Sequence, residues 1–221
     1  GKGSDQLRTI MGHSVDVLEG HDINAVRRDL GENPATSIWL WGEGKMPQLT
    51  PFKDRFGLDA AAITAVDLVR GIAKLIGWRC IEVDGATGFV DTNYAGKGAA
   101  AVAAVDDVDL ICVHVEAPDE AGHNADVAGK VRAIEQIDEH IVGPLLERLQ
   151  AESDGWRILV LPDHPTPCDI RTHTDEAVPF AIAGEHIKHV VSEAFSEDNA
   201  AESDLHIARG CDLMEYFLTV R

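Results

Sequence analysis

Two short stretches concentrate side chains that bind metal ions. Asp119 and His123 stand four residues apart in Ala117-Pro118-Asp119-Glu120-Ala121-Gly122-His123. Positions i and i+4 of a helix share one face, so a helix here presents a carboxylate and an imidazole together, as two ligands of one ion require. Asp163 and His164 are adjacent in Pro162-Asp163-His164-Pro165-Thr166-Pro167, where a proline on either side of the pair restricts the backbone and fixes both directions. Arg171-Thr172-His173-Thr174 supplies a further imidazole. Two carboxylates and three imidazoles suit zinc, manganese or another divalent first-row ion, and the oxygen ligands leave magnesium open.

Taken singly, an Asp four before a His is a capping or solvated pair, and an Asp-His dipeptide says no more. Position separates this set from the bland reading. Apolar, β-branched runs predict strands over 37–41 (SIWLW), 79–83, 109–115, 157–161 and 178–183, with 109–115 as the sheet centre. Apolar spacing of three and four predicts helices over 59–75, 96–105, 125–149 and 211–220. Strands alternating with helices imply right-handed crossovers and a three-layer, doubly wound, mostly parallel α/β sheet. In such a sheet ligands collect beyond the carboxyl ends of the strands, where Asp119, His123, Asp163, His164 and His173 all fall.

The remaining signals are weaker. Gly85-Ala86-Thr87-Gly88 lacks the lysine and frame of a P-loop, but its polar neighbours Asp91-Thr92-Asn93-Tyr94 and Lys97 lie on the same edge and are substrate-contact candidates. His140, His186, His189 and His206 show no ligand arrangement and read as surface or structural histidines, and Cys168, four residues after His164, reads as a bystander.

Composition bounds the function. A length of 221 residues, at about 150 per domain, allows one large α/β domain plus a piece of another. Composition shifts at Ser37, which places the expected boundary between 1–36 and 37–221. The net charge of −19 argues against nucleic acid and anionic membranes as partners. A small anionic ligand would need a bound cation to overturn that field. Four dispersed cysteines form no Cys-x-x-Cys pair, which disfavours a disulfide framework and points to the cytoplasm. No apolar run approaches the ~20 residues of a spanning helix. The start, Gly1-Lys2-Gly3, has neither an initiating Met nor a signal-peptide h-region and reads as internal to a longer protein.

The loops APDEAGH and PDHPTP, with RTHT followed by VPF, resemble the metal-binding loops of the alkaline phosphatase superfamily. More narrowly, IWLWGEGKMP, AVDLVRGIAKLIGW, GATGFVDTNY, HVEAPDEAGH, IEQID and LPDHPTP, in that order within 24–180, resemble the archaeal-type 2,3-bisphosphoglycerate-independent phosphoglycerate mutases. The resemblance implies an alkaline phosphatase-like fold and a glycolytic enzyme that interconverts 2- and 3-phosphoglycerate through a phosphoserine. It also implies two divalent ions, manganese or magnesium, with zinc or cobalt admissible. Asp119, His123 and His173 would hold one ion, and Asp163 and His164 would contribute to the second. His21, Asn24 and Arg27 match a His-x-x-Asn-x-x-Arg pattern that would touch the substrate.

In that family the nucleophilic serine and a further carboxylate ligand precede an inserted substrate-binding domain. Residues 1–36 resemble only the tail of that insertion, so the expectation is a carboxy-terminal portion, inactive by itself, in which neither Ser4 nor Ser14 is the nucleophile. The expected partner is a small phosphorylated substrate, with self-association as a homo-oligomer left open. Other phosphotransferases, phosphohydrolases or phosphonate enzymes of the superfamily, and a non-catalytic metal-binding or interaction domain, also stay open.

Overall fold

The computed structural model describes residues 3–42, 44–188 and 194–219, so His189 lies outside the described residues. The chain forms two compact units, 1–48 and 49–221. In the first, α1 (Ser4–Glu19) and α2 (Asp22–Asp29) are followed by an irregular segment. His21 starts α2, its Nδ1 accepting from Ile23 N at 3.2 Å. The expected strand over 37–41 does not form: Trp39 and Trp41 are 77% and 81% exposed, and no strand pairs with this segment among the described residues. An apolar run becomes a strand only where another backbone satisfies its amides, and here Ile38 N instead donates to Ser14 Oγ at 3.0 Å.

The second unit begins with α3 (Phe52–Phe56), whose Phe52 packs edge-on against Trp78. Next comes β1 (Ala60–Ile63), which lies between β2 (Arg79–Ile81) and β3 (Leu110–Val113) in an all-parallel sheet of order β2-β1-β3. The single helix expected over 59–75 is therefore corrected: its first part is the central strand, and only α4 (Asp67–Leu75) is helical. Alanine at 60, 61 and 62 mimicked helical composition, but all four residues of β1 are buried, and small side chains suit a strand covered on both faces. β1, and not the 109–115 run, is thus the sheet centre. His114 N donates to Ile63 O at 2.8 Å, so β1 and β3 end side by side.

α5 (Tyr94–Ala104) follows β2, capped by Asn93 Oδ1, which accepts from Gly96 N at 2.8 Å. After β3 the chain turns into α6 (Ala117–His123). The long helix expected over 125–149 is α7 (Val127–Ile137), a π-helical turn (Asp138–Val142) and α8 (Gly143–Gln150) in unbroken succession. Pro144 has no amide to donate, which favours a local change of winding. α5 packs backbone to backbone on this turn: a Cβ on Gly98 would lie 1.8 Å from His140 O, so only glycine fits. The core combines Ile63, Tyr94, Ala101, Ala117, Ala133, Ile141 and Leu145, and its alanines allow these close approaches.

β4 (Arg157–Val160) pairs antiparallel with β5 (Ala181–Gly184) in a separate two-stranded sheet, a departure from the mostly parallel expectation for these two runs. A parallel return needs a crossover of a dozen or more residues, usually helical, and the 161–180 connection contains no helix. That connection instead carries Asp163, His164 and His173. α9 (Glu197–Ala201) and α10 (Leu213–Thr219) close the chain, the latter after a 3₁₀ turn at Gly210–Asp212. No helix among the described residues is long and apolar enough to cross a membrane.

Candidate metal centre

Pro118 in the first turn of α6 is placed where its missing amide is no loss, and it sets Asp119 and His123 one turn apart on that helix. These ligand candidates therefore sit on a short helix of their own rather than at the start of the long one. His123 Nε2 is 3.2 Å from Asp119 Oδ2. From the 161–180 connection, His173 brings its Nε2 to 3.2 Å from Asp119 Oδ1 and 3.1 Å from His123 Nε2. An ion bonded at about 2.0–2.2 Å in tetrahedral or octahedral geometry separates its ligands by roughly 2.8–3.6 Å, and each of these three contacts falls in that range, Asp119 meeting the two imidazoles with different oxygens.

The proton assignments agree with ligation. His123 Nδ1 lies 3.0 Å from Arg171 O, which only accepts, so the proton sits on Nδ1 and the Nε2 lone pair faces Asp119 and His173. Arg171 reaches this position in the left-handed region at φ 60°, a strained conformation for a non-glycine residue of the kind that clusters at functional sites. The Arg171 carbonyl, followed by attraction to Asp119, raises the pKa of His123.

Asp163 and His164 adjoin this cluster. The His164 ring stacks on His173 with centroids 3.8 Å apart, and its Nε2 is 3.5 Å from Asp163 Oδ2. Thr166, 4% exposed, donates its hydroxyl to Asp119 Oδ1 and has the same oxygen 3.3 Å from His164 Nδ1. Thr166 O accepts from Lys130 Nζ at 2.7 Å.

Several groups around the cluster carried no sequence signal of their own. Glu116 and Glu120 form a second close set with Asp119. Glu116 has its pKa raised, first by burial and then by Asp119, Asp163 and Glu120, as expected where carboxylates crowd without enough positive charge. His114, at the end of β3, lies 3.3 Å from Glu116 Oε2 and 3.2 Å from Thr64 Oγ1, and burial lowers its pKa. Glu116, Asp119 and Glu120 share one helical turn, whereas only the topology that ends β1 and β3 together brings Thr64 beside His114. Their one legible cue was location directly after an apolar strand.

Lys97 is 0% exposed, and its Nζ donates to His114 O at 3.1 Å. It therefore supports the strand-end backbone rather than presenting its ammonium to solvent. Of its loop neighbours, Thr92 is buried and its Oγ1 accepts from Thr87 N at 2.9 Å, whereas Asn93 is exposed, its Nδ2 donating to Asp84 O at 2.8 Å. Asn24 and Arg27 belong to the first unit. Asn24 Nδ2 donates to Leu18 O and Ala35 O, both at 2.6 Å, its Oδ1 accepts from Ala35 N at 2.9 Å, and Arg27 Nε donates to Asn33 O at 2.7 Å. Ser14 Oγ donates to Met11 O at 2.6 Å besides accepting from Ile38 N. His140 lies in the π turn, His186 and His206 are exposed, and Cys168 joins none of the close ligand groups among the described residues.

Comparison with known proteins places the chain in a family. The family model described as the metalloenzyme superfamily matches residues 9–219. The chain is 47% identical over 212 residues to the 2,3-bisphosphoglycerate-independent phosphoglycerate mutase of Methanothrix thermoacetophila, covering 96% of this chain and 54% of that protein. It is 44% identical over 219 residues to a probable enzyme of the same name from Geobacter sulfurreducens, covering 99% and 55%. The chain thus spans about half the length of the curated relatives it matches. Among solved structures, the PH0037 protein of Pyrococcus horikoshii superposes with TM-score 0.81 at 30% identity, over 91% of this chain and 52% of that one. The cofactor-independent phosphoglycerate mutase of Thermoplasma acidophilum shares the fold, with TM-score 0.59 at 20% identity over 97% and 50%. With the parallel α/β sheet and a convergent Asp-His-His donor set in place, the match over nearly its whole length establishes that this chain belongs to the metalloenzyme superfamily.

Proposed function

We propose that this chain is the metal-binding part of a 2,3-bisphosphoglycerate-independent phosphoglycerate mutase, with Asp119, His123 and His173 as ligands of one divalent ion and Asp163 and His164 contributing to a second. The observation that carries the reading is the convergence of the Asp119 carboxylate with the Nε2 atoms of His123 and His173, each pair in contact at 3.1–3.2 Å, with one imidazole proton held on the far side of its ring. The relatives' names supply the reaction, an exchange of a phosphoryl group between two positions of a small phosphorylated acid.

Divalent ions, when bound, orient the phosphoryl group and stabilise the attacking and leaving oxygens. The side chains here have the complementary tasks. Asp119, on α6, sits between both imidazoles and the Thr166 hydroxyl, so one carboxylate ties α6 to the 161–180 connection at two points. His164, stacked on His173, brings the second ligand pair alongside the first. Arg27, in the unit that holds 1–48, remains a substrate-contact candidate, the role given earlier to Asn24 changes to holding the Ala35 backbone of that unit, and the unit is the remnant of the inserted substrate-binding domain in this reading. The role given earlier to Lys97 changes to support of the His114 backbone. The nucleophile is assigned to no residue of this chain.

Mutase turnover of the full-length protein, coupled to enolase and followed from 3-phosphoglycerate, tests the reaction. Turnover should require Mn²⁺ or Mg²⁺ and be lost in chelator, and metal-independent turnover would refute the reading. Phosphate release from phosphomonoesters with no mutase turnover would instead make it a phosphohydrolase of the same superfamily.

A further inference from the structure

We infer that Thr166 is a positioning residue whose one hydroxyl orients Asp119 and at the same time holds the proton of His164 on Nδ1, leaving the His164 Nε2 lone pair free to ligate. The inference rests on the metal reading of these loops, but its first observable does not.

A threonine hydroxyl carries one proton and two lone pairs. The Asp119 carboxylate can only accept, so the hydroxyl proton is directed to Asp119 Oδ1. The Thr166 oxygen must then act as acceptor toward its other neighbour, His164 Nδ1, at 3.3 Å. A neutral imidazole that donates from Nδ1 has its lone pair on Nε2, the nitrogen on the side of Asp163. The threonine thus does for His164 what the Arg171 carbonyl does for His123, and it ties that choice to the carboxylate shared with the first cluster.

Three observations show that Thr166 is held in place. Its carbonyl accepts from Lys130 Nζ at 2.7 Å, which anchors the loop to α7. The residue is 4% exposed, so water does not compete for the hydroxyl. α6 approaches so closely at Gly122 that a Cβ there would lie 2.4 Å from Thr166 O and 2.9 Å from its γ-methyl, leaving glycine as the residue that lets the loop seat.

The test begins with the protein before metal is added. In a two-bond ¹H–¹⁵N correlation spectrum of the ¹⁵N-labelled, chelator-treated chain above pH 8, His164 should be the Nδ1–H tautomer. It should redistribute toward Nε2–H in Thr166→Val and return to the parent state in Thr166→Ser. Mn²⁺ titration should then show 10–100-fold weaker binding for Thr166→Val and parent-like binding for Thr166→Ser, the range expected when the partner of a ligand is removed. An Nε2–H tautomer in the parent, or a Thr166→Val protein with the parent's tautomer and Mn²⁺ affinity, would overturn the inference. The parent tautomer needs no variant, so poor folding of Thr166→Val does not protect it. A parent that shows the Nδ1–H tautomer but binds no Mn²⁺ would leave the tautomer assignment standing while removing the metal reading.

Discussion

Asn24 and the pair His123–His173 are both clusters of polar atoms at close range, yet they differ in how their valences are filled. Around Asn24 every donor and acceptor has a matching partner: two carbonyls take its amide protons and an amide fills its oxygen. Around His173 acceptors outnumber protons. Two imidazole Nε2 atoms and a carboxylate face one another at 3.1–3.2 Å with the His123 proton already committed elsewhere, so a proton on His173 and the Thr166 hydroxyl must serve the His123 lone pair and both Asp119 oxygens. A saturated cluster holds a fold together, whereas converging lone pairs lower in energy only when a cation arrives.

Substitutions at these two places should separate the two kinds of cluster. His123→Ala in this chain should weaken Mn²⁺ binding by about 100-fold or more, measured by calorimetric titration, because a direct ligand is lost and not only its partner; binding within threefold of the parent would remove His123 from the ligand set. Asn24→Ala should behave oppositely. It should leave Mn²⁺ affinity unchanged while unprotecting the Ala35 amide to hydrogen exchange by about 1–3 kcal/mol, the cost of orphaning buried partners. An unaltered Ala35 exchange rate would show that this cluster is not saturated in solution.

Lys97 gives a finer test, since it is buried beside the site with one carbonyl as its hydrogen-bond acceptor. Burial lowers its pKa from the ordinary 10.5, with Glu116 opposing. Between the lowered value and 10.5 the unfolded chain keeps a proton there that the folded chain has released. Stability should therefore rise with pH across that window. Denaturant melts of the parent and Lys97→Met at a series of alkaline pH values should diverge accordingly, and parallel curves would show that the ammonium is solvated. The smallest effect belongs to Trp41→Ala: at 81% exposure its removal should change folding stability by less than about 0.5 kcal/mol, and a larger loss in a denaturant melt would reveal a contact for this residue.

Much of the candidate site was legible because its candidate ligands are written in local spacing. Asp119 and His123 depend on one turn of helix, and Asp163 and His164 on a peptide bracketed by prolines, so short-range geometry suffices. The strand-end location followed from apolar runs that formed as expected at β2, β3 and β4. Where reading failed, composition had two solutions. The alanines of β1 fit a helix or a covered strand equally, and the choice was made by parallel partners on both sides. SIWLW is apolar enough for a strand, but it has no pairing partner among the described residues.

Residue types, charge and local order therefore determined that this protein offers carboxylates and imidazoles directly after apolar strands, in a chain of net charge −19. Tertiary structure alone decided that His173 reaches His123 across fifty residues of sequence, that Thr166 touches Asp119 and His164 with one oxygen, and that Lys97 turns inward beneath β3. The division has a physical cause. Helical periodicity and proline restriction act within a few residues, whereas a shared hydrogen bond or a buried ammonium depends on which distant backbones pack within a few ångströms.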